Sequence, residues 1–129
     1  PDCAAEPLAW VEFAGGITEL GHAGEGFAWD NEQPRHRVLL QPFRLASRLV
    51  TAGEYREFKA DGGYRRPERW LSDGWACLRK AGWQAPLYWE QRDDGWWRFT
   101  LMGMQPVHPA FPDSHISYYE AVAYARWAG

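Results

Sequence analysis

"LVTAGEYREFKADGGY", residues 49–64, is the stretch on which the fold turns. Thr51 stands just ahead of a helically spaced run and Glu54 follows three positions later, a pattern in which each side chain satisfies the other residue's free backbone amide. Val50 and Tyr55 occupy the positions of a hydrophobic staple, and Gly62-Gly63 supply the stop. The stretch therefore predicts a helix that opens after Thr51 and ends at the glycine pair.

Toward the C-terminus, "RRPERWLSDGWACLRKAGW" (65–83) offers a short helical turn opened by Pro67. A second start follows at Ser72, with Asp73 in the first turn and Gly82 as the stop. "PLYWEQRDDGWWRFTL" (86–101) alternates like a hairpin. A two-residue Asp94-Gly95 turn would set Trp89 against Thr100 and Glu90 against Phe99, mixing the faces. A three-residue loop, Asp93 to Gly95 with Gly95 left-handed, instead pairs Trp89 with Phe99, Leu87 with Leu101 and Glu90 with Arg98, and is the expected register. "HPAFPDSHISYYEAVAYARWAG" (108–129) carries a second capping box, Ser117 with Glu120, ahead of an Ala-rich helix over 117–128, with Gly129 placed as its cap.

Toward the N-terminus, "LAWVEFAGGITELG" (8–21) reads as two short strands around Gly15-Gly16, expected to form a tight turn or bulge. Residues 36–50 read as extended chain, with Pro42 placing part of it at an edge or bend. No repeat, low-complexity tract or linker interrupts the 129 residues, which parse as one domain able to bury roughly two thirds of its unfolded surface. Nine Trp, six Tyr and six Phe among few aliphatic residues predict a core of rings, and thirteen Gly with nine Pro predict many turns. The fold class is α+β, irregular and turn-rich, with two to three short helices and β-hairpins.

A net charge of −3 and a pI near 5.8 leave no basic face, which argues against nucleic acid or an anionic membrane as partner. No apolar run approaches the about 20 residues of a spanning helix, and "PDCAAEPLAW" is not a signal peptide. The cytoplasm is the expected compartment. Cys3 and Cys77 show no zinc spacing and are expected as free thiols.

Three constellations bear on chemistry. In "FAWDNEQPRHRV" (27–38), Asp30, Glu32 and His36 have the residue types of a mononuclear iron or zinc site but lack its helical i, i+4 spacing. Asp and Asn ahead of Pro also fold an Asx-type turn onto its own amides, and that reading is preferred. His108 and His115 flank Asp113 and Ser114, the types of acid/base or nucleophilic sites, yet sequence neighbours seldom build a triad, so a structural role at the helix entry is preferred. Trp70, Trp75, Trp83, Tyr88, Trp89, Trp96 and Trp97 could cage a quaternary ammonium, although most are expected in the core. Residue chemistry alone does not yield a reaction.

"FAWDNEQPRHRV", "LVTAGEYREFKADGGY", "RWLSDGW", "APLYW" and "HISYYEAVAYARWAG", in this order, resemble the sulfatase-modifying-factor superfamily, whose formylglycine-generating-enzyme-like fold is related to C-type lectins. They look closest to the C-terminal domain of ergothioneine-biosynthesis sulfoxide synthases. Ala52 departs from the family's "VTNGE", and Asp113-Ser114 from its "PVCH". The family continues after "YARWAG" with a segment like "RLPTEAEWE", so residues 1–129 look like the first part of the domain, incomplete after the helix 117–128.

The resemblance implies an iron(II) enzyme that joins the thiol of cysteine or γ-glutamylcysteine to trimethylhistidine, consuming dioxygen. It implies iron ligands in an N-terminal helical domain of the same chain, which this segment would adjoin as scaffold and pocket wall. No catalytic, cofactor or metal residue carries over, and no metal is expected on this segment alone. Trp29, Asp30, Asn31, Glu32, His36 and His115 remain as signature residues and pocket candidates. A non-catalytic lectin-like binding module and a formylglycine-generating or related protein-modifying oxidase stay open as alternatives. Apolar surface left uncovered makes self-association an expectation.

Overall fold

A computed structural model describes residues 4–129, in which the residue 49–64 stretch forms helix α1, Ala52–Ala60, as its caps predict. Thr51 Oγ1 accepts the Glu54 amide at 3.3 Å and Glu54 Oε2 accepts the Thr51 amide at 2.8 Å. The next free amides of the first turn find carbonyls on a distant segment: Ala52 N–H bonds Phe111 O and Gly53 N–H bonds Pro109 O, both at 2.8 Å. Gly53 permits this approach, since a Cβ there would lie 2.9 Å from the Pro109 oxygen. The chain turns away at Gly62, whose φ of +74° suits glycine.

Contacts divide the chain into two compact units, Pro7–Arg48, and Leu49–Gly129 together with the described residues ahead of Pro7. In the second, Pro67–Arg69 form a single 3-10 turn, and α2 (Ser72–Ala81) ends at Gly82, left-handed at φ +67°. Helix α3, Tyr118–Ala128, opens on the predicted Ser117–Glu120 box. Tyr55, Phe58, Tyr64, Trp70, Leu78 and Ala123 bury a core against which Trp75, Trp83, Tyr124 and Trp127 pack. Rings dominate it, as the scarcity of aliphatic residues requires. Gly74 lets α2 and α3 meet closely, because a Cβ there would fall 2.6 Å from Tyr119.

Three strands complete this unit, β5 (Trp89–Arg92), β6 (Gly95–Thr100) and β7 (Gly103–Pro106), in that spatial order and antiparallel. The hairpin register differs by one residue from that expected. Trp89 faces Arg98, Glu90 faces Trp97 and Gln91 faces Trp96, with the turn at Asp93-Asp94 and Gly95 opening β6 at φ +131°. Mixing rings with charges is favourable in this case: the Arg92 guanidinium lies 4.7 Å over Trp97, Asp94 Oδ1 accepts the Trp97 indole N–H at 2.7 Å, and Trp89 meets Trp96 diagonally at 5.8 Å. Strand β7 has no counterpart in the sequence reading. It is an edge strand closed by Pro106, its entry fixed by Thr100 Oγ1 donating to Gly103 O at 2.8 Å.

In the unit Pro7–Arg48, β1 (Trp10–Phe13) pairs with β4 (Phe43–Ala46) and β2 (Gly16–Leu20) with β3 (His36–Leu40), all antiparallel. Phe13 faces Phe43 and Gly16 faces Leu40, so one register runs unchanged across the interruption at 14–15 and 41–42. Gly15-Gly16 are therefore neither a hairpin turn nor a bulge, since no residue is inserted. Gly15 has φ +74° and lies against the opposite backbone, where a Cβ would fall 2.5 Å from the Leu40 oxygen, and Pro42 has no N–H to continue the ladder. Val11, Phe13, Ile17, Leu39, Phe43 and Leu45 stay exposed on this ribbon.

Among the described residues no helix is long and apolar enough to cross a membrane. Cys77 is a free, exposed thiol, and Cys3 lies outside the described residues.

Candidate functional site

The two segments "APLYW" and "SHIS" meet in the unit Leu49–Gly129 around a cavity of about 480 Å³. Pro86 O accepts the Trp89 amide at 3.1 Å, turning the chain so that Leu87 N–H reaches His115 O at 3.2 Å. Tyr88 and His115 are the only non-glycine residues with positive φ among those described, at 70° and 61°. Their rings meet edge to face at 5.1 Å on the same wall. Left-handed backbone on two bulky residues costs energy that the surrounding contacts must offset, and such strain gathers at binding and catalytic sites.

Trp83, Leu87 and Ile116 give the cavity its apolar lining, and Glu120 stands within it. The Glu120 carboxylate is almost fully buried yet well held, accepting the Ser117 amide at 2.7 Å and the Tyr64 hydroxyl at 2.5 Å. Tyr64 in turn bonds Tyr55 through the hydroxyls at 3.2 Å. Burial pushes both phenols above their ordinary range, so they serve as neutral donors beside the carboxylate.

Ser114 Oγ lies 3.0 Å from His115 Nδ1, the contact of a nucleophile with a base. No triad follows, because Asp113 Oδ1 accepts the Ser114 amide at 2.8 Å and does not orient the imidazole. Burial holds the Asp113 carboxyl above the usual carboxylate value, against the opposing pull of the Ser114 amide and Arg98. Asp113 Oδ2 and Trp89 Nε1 are buried without a hydrogen-bond partner. His108 stacks on Phe111 at 4.5 Å and its Nδ1 accepts the Ala110 amide at 3.3 Å, away from the Ser114–His115 pair.

The remaining sequence candidates lie in the other unit, Trp29 to Glu32 on the long turn that joins β2 to β3 and His36 as the first residue of β3. Asp30–Glu32 form a 3-10 turn. Asp30 Oδ1 accepts the Asn31 amide and Glu32 Oε2 accepts the Trp29 amide, both at 3.0 Å, so both acids fold the turn onto itself. Glu32 O accepts the His22 amide at 2.7 Å, and the Trp29 ring is exposed against Phe27. His36 Nδ1 donates to Pro34 O at 2.9 Å, and Arg35 pairs with Glu19 at 2.7 Å rather than with either acid. Tyr88 and Trp83 stood among the aromatic candidates and His115 among the pocket candidates, but the cavity that brings them together was not legible, since a left-handed tyrosine leaves no sequence signal.

Residues 2–129 match the family model of the sulfatase-modifying factor enzyme 1-like domain. A hercynine oxygenase of Mycolicibacterium thermoresistibile is 42% identical over 107 residues, 83% of this chain and 23% of that protein. Its counterpart in Mycobacterium tuberculosis is 40% identical over 83% of the chain and 25% of its own length. A formylglycine-generating enzyme of Streptomyces coelicolor is 33% identical across the whole chain and 46% of its own length. The chain thus spans about a quarter to a half of the curated relatives it matches, and with a single family model covering both compact units it belongs to the sulfatase-modifying factor enzyme 1-like domain family.

Proposed function

We propose that the chain is the first part of the C-terminal domain of a dioxygen-consuming sulfoxide synthase of ergothioneine biosynthesis. The enzyme joins the thiol of cysteine or γ-glutamylcysteine to the imidazole of trimethylhistidine. One oxygen atom ends on sulfur and the other leaves as water with the two displaced hydrogens. The observation that carries this reading is the 42% identity to a hercynine oxygenase over 83% of the chain. Within it, the wall formed by Tyr88, His115 and Trp83 is a rigid, mostly apolar surface that bounds a substrate pocket and excludes water.

The resemblance brings iron(II), so the donor set needs testing. Among the described residues no three His, Cys, Asp or Glu side chains stand together as ligands. These residues do not fit an iron centre, and no step is routed through one; the ligands are assigned to an N-terminal helical domain of the longer protein, with this segment as its partner surface.

The experiment is direct: the full-length parent protein, supplied with iron(II), trimethylhistidine, each thiol and oxygen, yields a sulfoxide of the combined mass by mass spectrometry. Absence of that product with either thiol refutes the reading. The 33% identity of the whole chain to a formylglycine-generating enzyme supports a second reading, oxidation of a protein cysteine, which predicts a product only from a cysteine peptide.

A further inference from the structure

Lys59, on the half-buried side of α1, stands between two cavities of about 510 and 380 Å³. Its amine lies 3.7 Å from the centre of the Trp96 ring face and 5.4 Å from that of Tyr64, and it donates to the Gln84 carbonyl. No carboxylate pairs with it among the described ion pairs. Arg56 and Glu57 line the larger cavity and offset each other. In the smaller one, Tyr64, Trp83 and Gln84 are uncharged and Arg65 is the only charged side chain besides Lys59.

We propose that Lys59 is a covalent acceptor site for a small anionic aldehyde, which enters the cavity shared with Trp83 and pairs its anion with Arg65. The lysine nitrogen attacks the carbonyl carbon, forming the N–C bond, while the C=O π pair moves to oxygen and takes a proton. The carbinolamine then expels water and leaves a C=N bond. One water is released and nothing is oxidised or reduced.

The surroundings suit the step. The ring face of Trp96 and the Gln84 carbonyl fix the nitrogen in place, while burial brings its pKa down to about 8. Near pH 7.5 a group titrating there is roughly a quarter neutral, whereas an ordinary lysine is neutral in about one molecule per thousand. The groups facing Lys59 that act on this balance are Arg56, Glu57, Tyr64 and Arg65, together with the uncharged Trp96 on β6, whose ring face favours the ammonium form against burial.

The chain carries two lysines, so Lys80 on α2, outside both cavities, is an internal control. Treating the intact chain with glyoxylate, reducing the imines with borohydride and mapping the peptides by mass spectrometry reads both sites at once. Lys59 is expected to be labelled on the order of tenfold faster than Lys80 near pH 7.5, with a half-point near 8. Arg65→Ala should reduce its preference for glyoxylate over uncharged propanal, and Lys59→Arg should leave only the Lys80 and N-terminal adducts. Equal labelling of the two lysines, or a glyoxylate preference unchanged in Arg65→Ala, would overturn the proposal.

Discussion

At the residue scale the described chemistry is that of side chains closing local needs. Tyr64 illustrates this: its hydroxyl supplies one of the donors that keep the buried Glu120 carboxylate satisfied. Tyr64→Phe strands that oxygen and should lower stability by about 1–3 kcal/mol in urea unfolding; an unchanged midpoint would mean the carboxylate finds another donor. Asp61 gives a pH dependence. The Arg69 guanidinium at 2.7 Å, then the Trp127 indole N–H at 2.9 Å, hold its carboxyl below the ordinary 3.8. Because the folded state binds this proton less readily than the unfolded chain, the contribution is present at neutral pH and is lost as pH falls through the lowered value. Wild-type and Asp61→Asn stabilities should therefore differ at neutral pH and converge below 3.8. A gap independent of pH would assign Asp61 a role that does not depend on charge.

At the element scale, the helices were legible and the sheets only in part. Caps act over three residues, so Thr51–Glu54, Ser117–Glu120 and Gly82 could be read directly, and each does what its position implies. Ser117→Ala should cost about 0.5–2 kcal/mol through the orphaned Glu120 amide, measurable as a lowered melting temperature. Gly74→Ala should cost about 1–3 kcal/mol despite its gain in helix propensity, because the added Cβ meets the root of the Tyr119 ring. A stabilised Gly74→Ala variant would show that α2 and α3 can separate freely. Strand pairing depends on partners remote in sequence. Alternation favoured matching ring to ring across β5–β6, whereas the actual register rewards ring to guanidinium, and Gly15-Gly16 signalled a break without revealing that the flanking strands pair with residues 16 to 36 positions on.

At the scale of the whole molecule, identity was legible before chemistry was. The succession of motifs led to the family because it spans both compact units, and the matched residues 2–129 bear this out. Residues of the candidate site were legible singly, Tyr88 and Trp83 in the aromatic run and His115 as a pocket candidate, but nothing in the sequence says that Tyr88 and His115 share a wall, a contact made across 27 residues by backbone that only tertiary structure can hold in the left-handed region. The acids of residues 30–32, in contrast, read from sequence as turn-formers, bond amides one to three residues away. The central claim is that this domain serves C–S bond formation on a small-molecule imidazole. It is tested most directly by offering the iron-loaded full-length protein trimethylhistidine, free thiol and a cysteine-containing peptide together and recording the products by mass spectrometry. The account predicts the trimethylhistidine–thiol sulfoxide with the peptide untouched; formylglycine in the peptide without the sulfoxide would contradict it.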